Sequence, residues 1–130
     1  MRYVLDTNIC VYVLNHRPAA VREKFVQYQL GELAVSSVTV AELAYGAAQS
    51  TRSGTRERLE TFLLELPFDE AAAWRYGTLR AHPHRLGQPV GPLDLQIAAH
   101  ALSVGVTLVT NNEGKFRRVE GLTVENWFSG

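Results

Sequence analysis

The feature that most constrains this chain is a series of short, β-favouring apolar runs set between longer stretches of helical spacing. Tyr3-Val4-Leu5 is the first, and it is unbroken rather than alternating, as expected of a strand buried on both faces of a parallel sheet. Leu33-Ala34-Val35 is the second, Val106 to Thr110 is the most strand-like segment, and Leu122-Thr123-Val124 is the last. Between them the spacing predicts helices over Asn8 to Asn15, Ala19 to Tyr28, Thr39 past Ala47, Arg56 to Leu64, and from a cap at Asp69 to about Arg85. In the second of these Val21, Phe25 and Val26 are expected to face inward. A further helix opens at Pro92, carries Leu93, Ile97, Ala98, Ala101 and Leu102 on one face, and stops at Gly105. Alternating strands and helices call for a parallel sheet with right-handed crossovers and helices on both faces.

A chain of 130 residues fits one domain, spanning 1–130, with a core that needs no disulfide or structural metal. Lys plus Arg and Asp plus Glu balance at 13 each, so no overall field draws in nucleic acid and any such contact has to be local. The one cysteine, Cys10, falls in the first helix and reads as a small buried hydrophobe in a reducing compartment. No amino-terminal signal is visible, and no apolar run approaches the roughly 18 residues of a membrane span. The expected location is cytoplasmic, with no membrane contact.

Three acids stand out by position. Asp6 ends the first strand, and Glu42 and Asp94 lie at the starts of helices that follow strand or loop segments. Each also has a structural explanation: Asp6 as a helix cap, Thr39 to Glu42 as a capping box, Asp94 as a favourable charge at a helix amino terminus. In a doubly wound sheet, however, all three positions share the carboxyl edge of the strands, where ligands bind. Convergent carboxylates repel one another unless a cation neutralises them, and oxygen-only ligands point to Mg²⁺ or Mn²⁺. Zinc has little support, since His82-Pro83-His84 is the nearest approach to a ligand pair.

Asp6-Thr7-Asn8 after an amino-terminal strand, Ser36 to Leu43 with Tyr45-Gly46, Pro89 to Asp94, and Val109 to Asn112 with Phe116 together resemble the PIN domain family. More narrowly they resemble the VapC-type toxins of bacterial toxin–antitoxin operons. The resemblance runs in order from Met1 to about Trp127. It implies a three-layer α/β/α sandwich around a central parallel sheet of four to five strands. It also implies a Mg²⁺- or Mn²⁺-dependent endoribonuclease that cuts structured RNA such as tRNA and is silenced by a cognate VapB-type antitoxin, as a homodimer or toxin–antitoxin hetero-oligomer. The family's acids carry over onto Asp6, Glu42 and Asp94, with Asn8 and Thr110 as polar support. Asn112 stands where many members have a fourth acid, with Glu113 and Glu120 following; it is a neutral ligand or a helix cap.

RNA binding requires cations near the phosphates, and Arg75, Arg80, Arg85 and Lys115, with Arg117 and Arg118, are the local candidates. Tyr45, Trp74 and Tyr76 are possible base-stacking residues, though aromatics at helical spacing more often fill a core. Two other functions compete. One is a different Mg²⁺-dependent phosphate chemistry, which lacks a glycine-rich phosphate loop here. The other is a non-catalytic binding scaffold, which has no reason to retain three repelling acids.

Overall fold

In the computed structural model, residues 1–15, 19–29, 31–49, 54, 56–58, 63–81 and 90–127 are described. The strands are β1 (Tyr3–Leu5), β2 (Leu33–Ser36), β3 (Leu64–Leu66), β4 (Thr107–Val109) and β5 (Val124–Glu125). The helices are α1 (Thr7–Asn15), α2 (Ala19–Phe25), α3 (Ser37–Gln49), α4 (Glu70–Ala81), α5 (Pro92–Val104) and α6 (Glu113–Phe116). All strand pairs are parallel, in the order β3-β2-β1-β4-β5, so the first strand of the chain is the middle of the sheet.

The period of two along each strand divides the core into two layers. Tyr3, Leu5, Leu33, Val35 and Val109 pack with Ile9, Cys10 and Val13 of α1, Val21 of α2 and Leu43 of α3. Val4, Ala34 and Leu108 face the other way, onto Leu95, Ile97, Ala98 and Ala101 of α5 and Phe116 of α6. Covered on both faces, the inner strands have no polar alternation, which is why their sequences are solidly apolar. Cys10 is buried as expected. Among the described strands the border strand β3 is the most exposed, and β5 is half-buried.

Local signals fixed several ends. The Asp69 carboxylate accepts from the Ala72 N–H at 3.0 Å and starts α4. Gly105 closes α5 at φ 73°, a left-handed conformation, and its N–H reaches back to the last carbonyls of the helix.

Other expectations need correction. α3 starts at Ser37, not Thr39, because the hydroxyl of Ser36 accepts from the Val38 N–H at 3.1 Å and caps it. α2 ends at Phe25, leaving Val26 66 % exposed, and Leu93 turns outward as well. The last strand shifts to Val124–Glu125, since Gly121 at φ 84° and a Leu122 N–H to Val119 carbonyl bond form a turn where the strand was expected to begin. β3 takes Leu64–Leu66, the end of the expected 56–64 helix, and Pro67, lacking an N–H, closes it. Of the rest of that helix, 56–58 are described and helical, and Leu63 is described and not helical. The expected extension of α4 to Arg85, with His82-Pro83-His84, lies outside the described residues.

Trp127 locks the end of the sheet to its middle. Fully buried, it stacks on Tyr28 with ring centroids 5.4 Å apart and meets Tyr3 edge-on at 5.6 Å. Arg2 lies over both tyrosine rings at 5.3 Å. Trp127→Ala is expected to cost about 3–5 kcal/mol in equilibrium denaturation. Val26→Ala is expected to stay within about 0.5 kcal/mol, and a comparable loss at the two positions would contradict this account of the core.

Candidate active site

The site begins where β1 ends. The Asp6 N–H extends the ladder to the Val109 carbonyl at 3.0 Å, while its own carbonyl accepts from the Cys10 N–H at 3.1 Å and Oδ1 accepts from the Ile9 N–H at 2.9 Å. Asp6 is therefore the last rung of the sheet and the cap of α1 at once. It is only 5 % exposed. The Thr110 hydroxyl, which accepts from the Asn112 N–H at 3.0 Å, keeps its proton to donate to Asp6. Burial pushes the Asp6 carboxyl up to about 6, and the charge of Asp94 adds to the rise. The Thr110 and Ile9 donors and the Lys115 charge oppose it without cancelling it.

Asp94 comes from the first turn of α5, after the Gly91-Pro92 start. No side chain caps that helix, so the Asp94 carboxylate is left to face the cleft. Its Oδ2 forms an ion pair with the ammonium of Lys115, each side chain about one third exposed. Lys115 is held there by α6, whose cap is Asn112: its Oδ1 accepts from the Lys115 N–H at 3.3 Å. Of the two readings of Asn112, the helix cap is the one realised.

Glu42 sits in the second turn of α3 rather than its first, so it makes no capping box with Thr39. Its Oε1 instead accepts from the Thr7 hydroxyl at 2.7 Å, with the fully buried Thr39 hydroxyl 3.3 Å from Thr7. Thr7 thus ties Glu42 to the residue beside Asp6. Asp6 is near enough to feel the charge of Asp94, while Glu42 is tied to Thr7, the residue after Asp6. Among the described residues no three of His, Cys, Asp and Glu close around a single point.

The remaining candidates are dispersed. Asn8 is exposed on α1. Glu113 is turned to Arg117 at 2.6 Å, away from the role of a fourth acid. Arg75 does not reach the cleft: it lines a pocket with Arg2, Gly105 and Thr107, at the amino-terminal edge of the strands. Arg80, further along α4, lies over the Tyr76 ring at 6.0 Å and donates to its hydroxyl at 3.1 Å. Arg85 is outside the described residues. Tyr45 and Trp74, expected in the core, are 67 % and 73 % exposed.

Three side chains make contacts that the sequence does not mark. Thr7 was legible only as part of its tripeptide. Ser36 and His100 are joined across the sheet edge at 2.7 Å. Ser36 Oγ, which also accepts from the Val38 N–H, shares a hydrogen bond with the imidazole Nδ1, and burial lowers the tendency of His100 to protonate. This contact links the cap of α3, which bears Glu42, to α5, which bears Asp94. Nothing in the sequence marks a pair 64 residues apart.

Chemically, the cleft offers two facing carboxylates, one of them short of neutralising charge, with an ammonium already against the other. Such a set fits a hard divalent ion that keeps most of its water and takes one or two protein carboxylates. It does not fit zinc, as Cys10 is buried in the core and His100 is committed to Ser36.

A PIN domain model matches residues 3–122. The chain is 43 % identical to the tRNA(fMet)-specific endonuclease VapC of Shigella flexneri, over 98 % of each chain. Among solved structures, it superposes on the DNA-bound VapBC of Salmonella typhimurium with a TM-score of 0.86 and 38 % identity, covering 98 % of both chains. On VapBC2 of Rickettsia felis, bound to a fragment of its promoter DNA, the TM-score is 0.82 and the identity 36 %, over 98 % and 99 % of the two chains. With the five-stranded parallel sheet, the strand-end Asp6 and the opposing Asp94 all in place, the chain belongs to the PIN domain family, in its VapC branch.

Proposed function

We propose that this chain, as a single PIN domain, is the ribonuclease of a bacterial toxin–antitoxin pair, a Mg²⁺- or Mn²⁺-dependent endoribonuclease of the cytoplasm. Its substrate class is tRNA, the initiator tRNA first, following the name of its Shigella flexneri relative. A VapB-type antitoxin is its partner, as in the VapBC complexes it resembles. No helix among the described residues is long and apolar enough to cross a membrane. The observation that carries the reading is the pairing of buried Asp6 with Asp94 at the carboxyl edge of the sheet.

Asp6 and Asp94 would hold the ion, with Thr110 fixing the Asp6 carboxylate and the rigid start of α5 fixing Asp94. A bound Mg²⁺ or Mn²⁺ supplies an activated water at neutral pH and offsets charge at the phosphate. Glu42, steadied by Thr7, would complete the acidic set through water. Thr110 and Asn112 serve by position: one donates to Asp6, the other caps the helix that aims Lys115. Lys115, already at Asp94, is a cation at the cleft for an RNA phosphate.

Pure protein incubated with total RNA and Mg²⁺ should produce new 5′ ends in tRNA, initiator tRNA first, and none in EDTA. Asp94→Asn should lower the cleavage rate by roughly a hundredfold or more. Undiminished cutting in EDTA, or in that variant, overturns the proposed mechanism.

Asp6 also predicts a pH dependence of stability without metal. Its folded carboxyl, raised to about 6, holds a proton more tightly than the unfolded chain does. That stabilisation is complete below about pH 4 and is lost as the pH rises through the folded value. At pH 8 in EDTA, Asp6→Asn should therefore be more stable than the unaltered protein by about 2 kcal/mol, with the gap closing toward pH 4. A less stable Asn variant at pH 8 would contradict the burial argument.

A further inference from the structure

We infer that Lys115 is a tethered counter-cation that competes with the divalent ion for Asp94 and so sets how tightly the free protein takes up metal. The inference rests on the proposed cation site at Asp6 and Asp94. Four observations lead to it. The ammonium is ion-paired to Asp94 Oδ2, and its charge is also felt at Asp6. Its backbone is fixed, because α6 is capped by Asn112 on one side and pinned by the buried Phe116 on the other. Its side chain is one third exposed, so it can swing out to solvent while its anchor stays put. The other two charges of that turn do not enter the contact, as Glu113 and Arg117 pair with each other.

The charge count then decides the behaviour. Asp6 and Asp94, both ionised, carry two negative charges, and Lys115 cancels one. A divalent ion entering beside the ammonium would leave more positive than negative charge on the two aspartates, since Glu42 is held apart by Thr7, and both cations want the same Asp94 oxygen. Metal therefore binds at the expense of the ion pair. The released ammonium, tethered at the rim, can next be matched by an RNA phosphate. In this chain the lysine makes metal uptake weak in the free protein and strong in the presence of substrate.

The test measures Mn²⁺ binding directly, without RNA, by calorimetry or by the electron paramagnetic resonance of free Mn²⁺. The proteins are the unaltered chain, Lys115→Gln, Lys115→Met, Lys115→Arg and Asp94→Asn, each checked for folding by circular dichroism. Both neutral variants should bind Mn²⁺ roughly tenfold or more tighter, the worth of one charge-assisted contact. Lys115→Arg should bind as weakly as the unaltered chain, and Asp94→Asn should lose binding. Equal affinity in the unaltered and neutral variants, with Asp94→Asn still losing binding, overturns the inference and leaves the cation site standing. Undiminished binding by Asp94→Asn overturns the cation site itself, and this inference with it.

Discussion

The structure turns on one buried carboxylate. Asp6 joins the sheet through its N–H, starts α1 through its carbonyl and Oδ1, and faces Asp94 across the cleft. An ionised group with so little contact with water is tolerated in a fold only where donors and opposite charge surround it. Here the Ile9 N–H, the Thr110 hydroxyl and Lys115 offset part of the burial, and the rest appears as a carboxyl that gives up its proton reluctantly. Elements far apart in sequence are thereby committed to one point: the end of β1, the end of β4, the start of α5 and the short α6.

The cleft has two tiers. Asp6, Thr110 and Asn112 form a fixed one, each group satisfied by a neighbour within a few residues or one strand away. Asp94, Lys115 and Glu42 form an adaptable one, partly exposed and held by single contacts between side chains. The Ser36–His100 contact lies beneath both and keeps α3 and α5 in register. The rigid groups are thus pre-set below, and the charge that can respond lies above.

Much of this was readable in the sequence, for local reasons. Unbroken apolar triplets marked the inner strands, Gly105 and Asp69 marked helix ends through their own backbone chemistry, and Asp6 and Asp94 were placed by strand-end logic. Misreadings arose where two local signals competed. Ser36 and Thr39 are both competent caps, and tertiary contacts gave Ser36 the cap and Thr39 to the core. Leu64 to Leu66 fits a strand or a helix end equally well, and pairing with β2 decided it. Arg75 looked like a phosphate contact because charge alone does not say at which end of the strands a helix residue lies. The Thr7–Glu42, Ser36–His100 and Asp94–Lys115 contacts span 35, 64 and 21 residues, beyond the reach of any periodicity.

The position of β1 has a consequence for how the protein is made. The first strand to be synthesised is the middle of the sheet, and its second partner, β4, is Thr107–Val109. Until that segment leaves the ribosome, one side of Tyr3–Leu5 has no strand to pair with, and Asp6 lacks Thr110, Asp94 and Lys115. Closing so long a loop is slow. The acids of the cleft therefore come together only after β4 and α6 have been made, late in the order of synthesis.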